Sequence, residues 1–430
     1  MKHGMKMKSL LCLSAACAAF GAFADPNDPQ TTIVSASQDD NRVLKVTYTL
    51  DEPAIVTFDV KTNGVSIGGA NLKLATGDVH RVVEAGTRTL VWPAYEAWPE
   101  HTTKRDGEFS VTVTAWATNA PPDYMVIKLV GEDKGSRTFF TAPEQLPGVG
   151  GVTNDLYKTD YLVMRRIPAA GKTFSMGPPP DVTRTVPEIR HNVALTNDFY
   201  MAVFELTQGQ FKNVLSETCS LSFFEAYIKS ADVIAEYRAN MAAPVPQTRY
   251  SEFRGTAKKW PVDGHDVEAN SPLDKFRALL NLPTLDLPTE AEWEFACRAG
   301  TTGNRYDGTA DGTSPTCGWV DGASWPPKTP YAVGLLEPNA LGLYDIIGNV
   351  AEICLDLYGV GEAYAPATMN PIIAPAGPGT DSDGATIKPV MRGHGMWETE
   401  PAKNANAWHR EAKEWGSNYP TFGFRLVCTF

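Results

Sequence analysis

The sequence predicts an α+β protein in which an all-β segment precedes a larger, loop-rich mixed domain. Residues 31–118 contain short stretches of alternating apolar and polar residues, and signals that start helices appear only after Tyr161. The chain holds 36 glycines and 32 prolines in 430 residues, which favours many turns and short strands. A chain of this length exceeds one ordinary core, so we expect two or three domains.

The first 24 residues have the pattern of a signal peptide. Lys2, Lys6 and Lys8 precede an apolar stretch at 10–23, and Ala22-Phe-Ala24 fits the small-x-small cleavage rule. We therefore expect residues 1–24 to be removed and the protein to be exported to the periplasm, the cell surface or the medium. No later stretch of 18 apolar residues occurs, so the sequence predicts no membrane span.

The composition is that of an acidic globular protein. Hydrophobic residues at 43% and charged residues at 20% exclude a disordered chain or a coiled coil. The formal net charge is −12, and no basic stripe interrupts it. Such a protein repels a phosphate backbone, so we expect no nucleic-acid partner and interpret the charge as a source of solubility.

The segment 25–120 is predicted to be an Ig-like β-sandwich. Val43–Leu50, Ile55–Val60 and Phe109–Trp116 alternate in polarity, and these stretches are separated by turn signals. Residues 82–93 resemble the turn-and-strand segment of Ig-like modules found on bacterial surface proteins. No catalytic constellation is present in this segment, so we expect a spacer or adhesion role.

The mixed domain is predicted to follow a linker at 121–155, which is rich in proline and glycine and includes one strand at Tyr124–Val130. Helix starts are then marked by capping boxes at Thr207-Gln-Gly-Gln210 and Thr289-Glu-Ala-Glu292. Ser271-Pro272 supplies an N-cap followed by proline at the first helical position. After Gly300 the pattern indicates loops and short strands.

Five motifs in this part of the chain resemble those of the sulfatase-modifying-factor family, which includes the formylglycine-generating enzymes. They occur in the family's order, as FYMAVFELTQ at 199–208, LPTEAEWEFACRAG at 287–300, NALGLYDIIGNV at 339–350, RGHGMW at 392–397 and GFRL at 423–426. The resemblance implies an irregular, loop-rich α+β domain over 156–430, related to C-type lectin-like folds.

The resemblance also shows a departure at the positions that carry the family's chemistry. The enzymes oxidise a cysteine in a sulfatase peptide to formylglycine, using copper held by two cysteines that follow the RGGSW motif. Glu398 and Lys403 stand at those two positions here. Cu(I) prefers soft thiolates, which neither a carboxylate nor an ammonium group replaces. We therefore expect no copper and no catalytic residue, and a non-oxidase protein that binds a peptide or glycan.

Two alternative functions stay open on the sequence. One is a metal-dependent oxidase or formylglycine-generating activity with a rearranged site, and the other is a surface adhesion component. The candidate binding groove contains His394, Trp397, Glu398 and His409. With Glu400, these histidines and Glu398 also suit iron or zinc in residue type, but their spacing matches no known ligand pattern, which favours ordinary polar surface.

A structural Ca²⁺ site is implied by the resemblance at Asp345, Gly348, Val350 and Glu352. Two carboxylates with backbone carbonyls between them suit a hard cation that takes six to eight oxygens. The alternative is a metal-free turn held by Asn349.

Five cysteines remain once the signal peptide is removed, and an odd number leaves at least one unpaired. They are Cys219, Cys297, Cys317, Cys354 and Cys428. The sequence leaves their pairing open, although Cys354 and Cys428 could pair. Cys297 is predicted to be a small buried apolar residue on its helix.

Overall fold

The computed structural model describes fifteen segments of the chain, which are residues 28–101, 109–182, 188–218, 220–221, 228, 230–246, 250–255, 260–261, 263–310, 312–320, 329–358, 372–373, 388–396, 400–412 and 422–429. The expected signal peptide at 1–24 and the residues Cys219, Trp397 and Glu398 lie outside them. Among the described residues, no helix has the length and apolar character needed to cross a bilayer.

The described chain divides into two units. The first takes residues 28–125 and 137–154, and the second takes 126–136 and 155–429. The segment expected to be a linker at 121–155 is therefore shared between the units. It contains strands β9 (Tyr124–Lys128) and β10 (Arg137–Phe140), and short 3-10 helices at Pro143–Gln145 and Gly151–Thr153.

The first unit is a β-sandwich. One sheet has the strand order β1-β2-β7-β5, and in the other β3 pairs with β4, β6 and β8. These strands are β1 (Thr31–Gln38), β2 (Val43–Leu50), β3 (Ala54–Thr62), β4 (Val65–Ser66), β5 (Thr76–Gly77), β6 (Val82–Val83), β7 (Gly86–Pro93) and β8 (Phe109–Trp116). Helix α1 (Ala94–Ala97) and a 3-10 turn at Gly69–Asn71 also belong to this unit.

The alternation predicted for β2 is present in the structure. Leu44, Val46, Tyr48 and Leu50 are buried, and they share one core with side chains from β3. Because every second residue of a strand points to the same face, this pattern fixes which side of the sheet is covered. The all-β prediction for this segment is therefore confirmed.

The second unit is built around three small sheets. Their strand orders are β9-β11-β14-β20, β12-β13-β16 and β18-β17-β15-β19. The further strands are β11 (Tyr161–Ile167), β12 (Lys172–Met176), β13 (His191–Leu195), β14 (Phe199–Ala202), β15 (Ala351–Leu357), β16 (Ile372–Ile373), β17 (Pro389–Arg392), β18 (Glu411–Ala412), β19 (Phe422–Gly423) and β20 (Val427–Cys428). Their order is not sequential, so strands distant in the chain lie side by side, and the last strand, β20, pairs with β14.

Three helices of this unit begin where the sequence predicts, and the others carry no start signal that the sequence analysis named. The helices are α2 (Leu156–Thr159), α3 (Gln208–Leu215), α4 (Ala231–Ala239), α5 (Tyr250–Arg254), α6 (Pro272–Leu280), α7 (Glu290–Arg298) and α8 (Pro401–Asn404). The three predicted starts are those of α3, α6 and α7. The hydroxyls of Thr207, Ser271 and Thr289 each accept a hydrogen bond from a backbone N–H in the first turn. Helix α7 ends at Arg298, and its C-cap residue Ala299 adopts a left-handed φ of 47° immediately before Gly300.

Candidate functional site

The predicted metal residue Glu352 lies in the centre of the second unit and is bound to an arginine. Its side chain is fully buried at the start of β15, and the Arg425 guanidinium donates to it from Nε at 2.9 Å and from Nη2 at 2.6 Å. The Trp293 indole N–H donates to its second oxygen at 2.7 Å. Both oxygens of Glu352 are thus satisfied by protein donors, which compensates for burying the charge.

The turn before Glu352 is fixed by a second buried carboxylate, Glu205. Glu205 accepts hydrogen bonds from the Val350 backbone N–H at 3.0 Å and from the Asn349 amide at 2.7 Å. Asn349 has a left-handed φ of 55°, so the side-chain bond holds it in a costly backbone conformation. Burial, reinforced by the carboxylates of Asp345 and Glu352, raises the pKa of Glu205 well above its usual range.

Asp345 is the predicted metal residue with one carboxylate oxygen that lacks a protein donor among the described residues. Its Oδ2 accepts a hydrogen bond from the Gly334 backbone N–H at 2.6 Å, whereas its Oδ1 is buried with no hydrogen-bond partner in the described part of the chain. Burial raises the pKa of Asp345 to about 6. An orphaned buried carboxylate oxygen is costly, and a bound cation is one way to satisfy it.

Gly348, between these residues, is required by close packing. It has a φ of 90°, and a Cβ at this position would lie 2.6 Å from the Trp319 backbone nitrogen. Within the described residues, no group of three or more histidine, cysteine, aspartate or glutamate side chains could hold a metal. A cation here would therefore depend on backbone carbonyls as well as on Asp345 and Glu352.

Charged side chains of helix α7 form a buried cluster with two arginines from the C-terminal part of the chain. Glu290 pairs with Arg410 at 2.8 Å and Arg392 at 3.2 Å, and Glu294 pairs with Arg392 and with Arg298. All five side chains are buried. Because each carboxylate meets two guanidinium groups, the RG motif at 392–393 is fixed against the helix that contains the EAEWE motif.

Lys403, one of the two residues that the resemblance sets at an expected copper-ligand position, is at the surface. Lys403 lies in α8 with its side chain about half exposed, and its ammonium group pairs with the carboxylate of Glu400. Glu398, at the other such position, lies outside the described residues. The Glu400 side chain proposed as a metal ligand is thus engaged by Lys403, three residues along the chain.

The two histidines predicted to line a groove differ in exposure. The His394 side chain is fully buried and cannot line an open groove, whereas the His409 side chain is about one-fifth exposed. Both approach the same carboxylate oxygen of Glu411, at 3.9 Å from His394 Nδ1 and 3.3 Å from His409 Nε2. Burial opposes protonation of His409, but Glu188 and Glu411 outweigh it and raise the pKa of His409.

Of the five cysteines that follow residue 24, four are described, and all four are buried thiols: Cys297, Cys317, Cys354 and Cys428. No disulfide joins them within the described residues, so the pairing considered for Cys354 and Cys428 is not formed in this structure. Burial raises the pKa of Cys297 and Cys354 well above the usual range and that of Cys317 to about 12. Such thiols are not poised as thiolates.

Sequence reasoning did not assign roles to Arg425, Glu205 or Glu411, although the first two lie in motifs that it quoted. Arg425 is part of GFRL, and Glu205 is part of FYMAVFELTQ. A buried charge needs a partner, so an arginine and a glutamate inside apolar motifs were a usable signal. Glu411 carried no comparable signal.

Comparison with known proteins identifies the family of this chain. Residues 163–430 match the family model described as the sulfatase-modifying factor enzyme 1-like domain, which is more than half of the chain. The protein therefore belongs to that family, as the five motifs indicated.

Similar proteins carry different names. The chain is 33% identical over 144 residues to the serine/threonine-protein kinase pkn1 of Chlamydia pneumoniae, covering 33% of this chain and 20% of the relative. It is 36% identical over 106 residues to the formylglycine-generating enzyme of Streptomyces coelicolor, covering 22% of this chain and 32% of that enzyme. The chain thus spans less than a third of the length of these relatives.

Among solved structures, the Treponema denticola variable protein 1 matches at 20% identity with a TM-score of 0.45. The match covers 66% of this chain and 98% of that protein.

Proposed function

We propose that this protein is an exported, non-oxidase member of its family that binds a peptide or a glycan. The single observation that carries the proposal is the chemistry at the family's copper positions, where Glu398 and Lys403 replace two cysteines. Lys403 is paired with Glu400 at the surface, and its positive charge opposes a cation beside it.

The buried cysteines give the proposal further support. The four described thiols are each no more than 4% exposed, and they lie within the packed interior. A thiolate copper site needs two deprotonated sulfurs that meet at an accessible position. Moving any of these thiols to the surface would require the core around it to open. Family membership alone selects no chemistry, because its relatives include proteins named as kinases and as formylglycine-generating enzymes.

The direct test is an activity assay on the purified mature chain. A Cys-x-Pro-x-Arg peptide is incubated with the protein, oxygen, a thiol reductant and Cu(I), and conversion of the cysteine to formylglycine is followed by mass spectrometry. We expect no conversion above a protein-free control, with an active formylglycine-generating enzyme as positive control. Conversion that is lost on chelating copper would establish the rearranged oxidase instead.

We assign binding of the peptide or glycan to the partly exposed polar region around His409. This side chain lies between Glu188, at 3.4 Å, and Glu411, at 3.3 Å, and still reaches solvent. A glycan array and a peptide library probed with the mature chain would separate the two ligand classes. We expect hits that weaken in His409→Ala, while an exposed-surface control, Lys212→Gln, leaves them unchanged. Absence of hits on both arrays would count against the proposal.

Calcium is proposed as a structural ion of this family member. Asp345 and Glu352 would supply side-chain oxygens, and Gly348 and Val350 would supply carbonyls. The support is the buried, unpartnered Oδ1 of Asp345 and the excess of three buried carboxylates, Glu205, Asp345 and Glu352, over the one guanidinium of Arg425. EDTA is expected to lower the melting temperature, and Asp345→Asn is expected to abolish that effect. An unchanged melting temperature in EDTA would argue for the metal-free turn.

A further inference from the structure

A cavity of about 440 Å³ opens beside strand β12 and the end of helix α7, and none of the described residues that line it is one that the preceding sections assign to ligand or copper binding. Its walls come from residues 172–175, Arg190, Phe295, Arg298 and the loop 300–302, and Pro168, Gly177 and Pro179 also line it. The volume lies within the range typical of small-molecule sites.

The cavity has a positive lining in an acidic protein. Lys172, Arg190 and Arg298 line it, and among the described residues that line it none is an aspartate or glutamate. Arg298 is compensated, because its guanidinium pairs with the Glu294 carboxylate at 2.7 Å. Lys172 and Arg190 form no salt bridge within the described residues, so two uncompensated cations face this space in a chain of net charge −12.

The arginine is held in place without losing its charge. Arg190 Nε donates to the Ser175 hydroxyl at 2.7 Å, and this bond orients the guanidinium while its two terminal nitrogens carry the remaining donors. A guanidinium fixed through Nε presents a planar fork that matches a carboxylate.

One wall of the cavity is apolar and is formed by two aromatic rings. Phe174 and Phe295 meet edge to face with ring centroids 5.4 Å apart, and both are only partly buried. These rings offer an apolar surface within the same cavity as the two cations. A ligand that fills this space therefore needs an anionic group and an apolar face.

We propose that this cavity is a binding site for a small carboxylate ligand whose apolar or ring face packs on Phe174 and Phe295, while the carboxylate meets Arg190 and Lys172. Two sources share this chemistry, which are a uronic acid sugar and the carboxyl-terminal aromatic residue of a peptide. A carboxylate gains charge-assisted hydrogen bonds here, and it faces no acidic side chain that would repel it.

The experiment is isothermal titration calorimetry of the mature chain with three probes: N-acetylphenylalanine, its uncharged amide, and glucuronate. We expect at least one of the two acids to bind, and the acid that binds identifies the source. The amide is expected to bind at least about tenfold more weakly than N-acetylphenylalanine, and added salt is expected to weaken acid binding.

Two charge-matched variants decide where binding occurs. Lys172→Gln/Arg190→Gln removes both cations from the cavity, and Lys212→Gln/Lys275→Gln removes two exposed lysines elsewhere in the same unit. We expect the first variant to weaken acid binding about tenfold or more and the second to leave it unchanged. Failure of both acids to bind, equal binding of acid and amide, or equal binding by the first variant would each overturn the proposal.

Discussion

Two ion pairs in the second unit, Glu352–Arg425 and Glu400–Lys403, have opposite surroundings. The first is fully buried, and its arginine also donates to the carbonyls of Ala202, Val203 and Tyr344. The second lies at the surface, with both side chains about half exposed. The buried pair joins strands that are distant in the chain, whereas the surface pair joins two residues that lie three positions apart at the start of one short helix.

This difference indicates which residues of the family domain can be substituted with little loss of stability and which cannot. A buried charge cannot change without leaving its partner uncompensated, so the scaffold around Glu352 resists substitution. A surface position in a short helix tolerates new side chains at little cost in stability. Surface positions such as Lys403 can thus vary while the buried scaffold of the fold is retained.

The largest effect is expected from Arg425→Met. It leaves the Glu352 carboxylate buried and without its cation, so we predict a loss of about 3–5 kcal/mol in the free energy of unfolding. Urea denaturation measures it. The double variant Glu352→Gln/Arg425→Met should recover much of the loss, because no unpaired charge is left. A single-variant loss below about 1 kcal/mol would show that the buried pair is dispensable.

The next effect concerns another buried carboxyl group in the second unit, that of Asp356, and it is measured as the pH dependence of stability. Burial, with the charge of Glu290, raises the pKa of Asp356 from 3.8 to about 8. The folded state therefore binds this proton more tightly than the unfolded state, and its stabilising effect is lost as pH rises from about 4 to about 8. Asp356→Asn should flatten that part of the stability profile.

The control for this prediction is Asp181→Asn, which changes an exposed aspartate in the same unit. Its profile from thermal unfolding at a series of pH values should match that of the unaltered protein. A profile for Asp356→Asn that stays as steep as the unaltered one would contradict the assignment.

A smaller effect is expected at the cap of helix α7, which presents Glu290 and Glu294 to the buried arginines. The Thr289 hydroxyl accepts from the Glu292 N–H at 3.2 Å, and the Glu292 carboxylate accepts from the Thr289 N–H at 2.8 Å. Thr289→Ala should cost about 1 kcal/mol in chemical denaturation, and Thr289→Ser should cost less, because serine keeps the acceptor. Equal losses in the two variants would argue against the cap.

The smallest effect is expected at the surface pair. Lys403→Ala removes the partner of Glu400 in a half-exposed pair, so the free energy of unfolding should change by less than about 1 kcal/mol. Denaturation in parallel with Arg425→Met gives the contrast directly. A loss as large as that of Arg425→Met would remove the distinction between the two ion pairs.

Local features of this fold were predictable from the sequence, because their causes lie within a few residues. The caps at Thr207, Ser271 and Thr289 form as expected, and the alternation in β2 selects its buried face. The contacts of Glu352 were not predictable in the same way, because its partner Arg425 lies 73 residues along the chain.

The candidate site shows the same limit. The sequence indicated Asp345 and Glu352 by resemblance, but which oxygen is free and which is paired depends on elements far apart in the chain. His394 illustrates this, because its motif gave no sign that the side chain would be fully buried. The absence of cysteine at Glu398 and Lys403, where the resemblance sets copper ligands, could be read from the sequence directly, since it depends on residue identity alone.

The central claim, that this chain does not hold copper as active relatives do, is tested most directly by Cu(I) titration against a competing chelator. The mature chain is compared with the double variant Glu398→Cys/Lys403→Cys, which places thiols at both family positions. We predict that the unaltered chain takes up no tightly bound copper and that the variant binds up to one equivalent. One equivalent of tightly held Cu(I) in the unaltered chain would contradict this account.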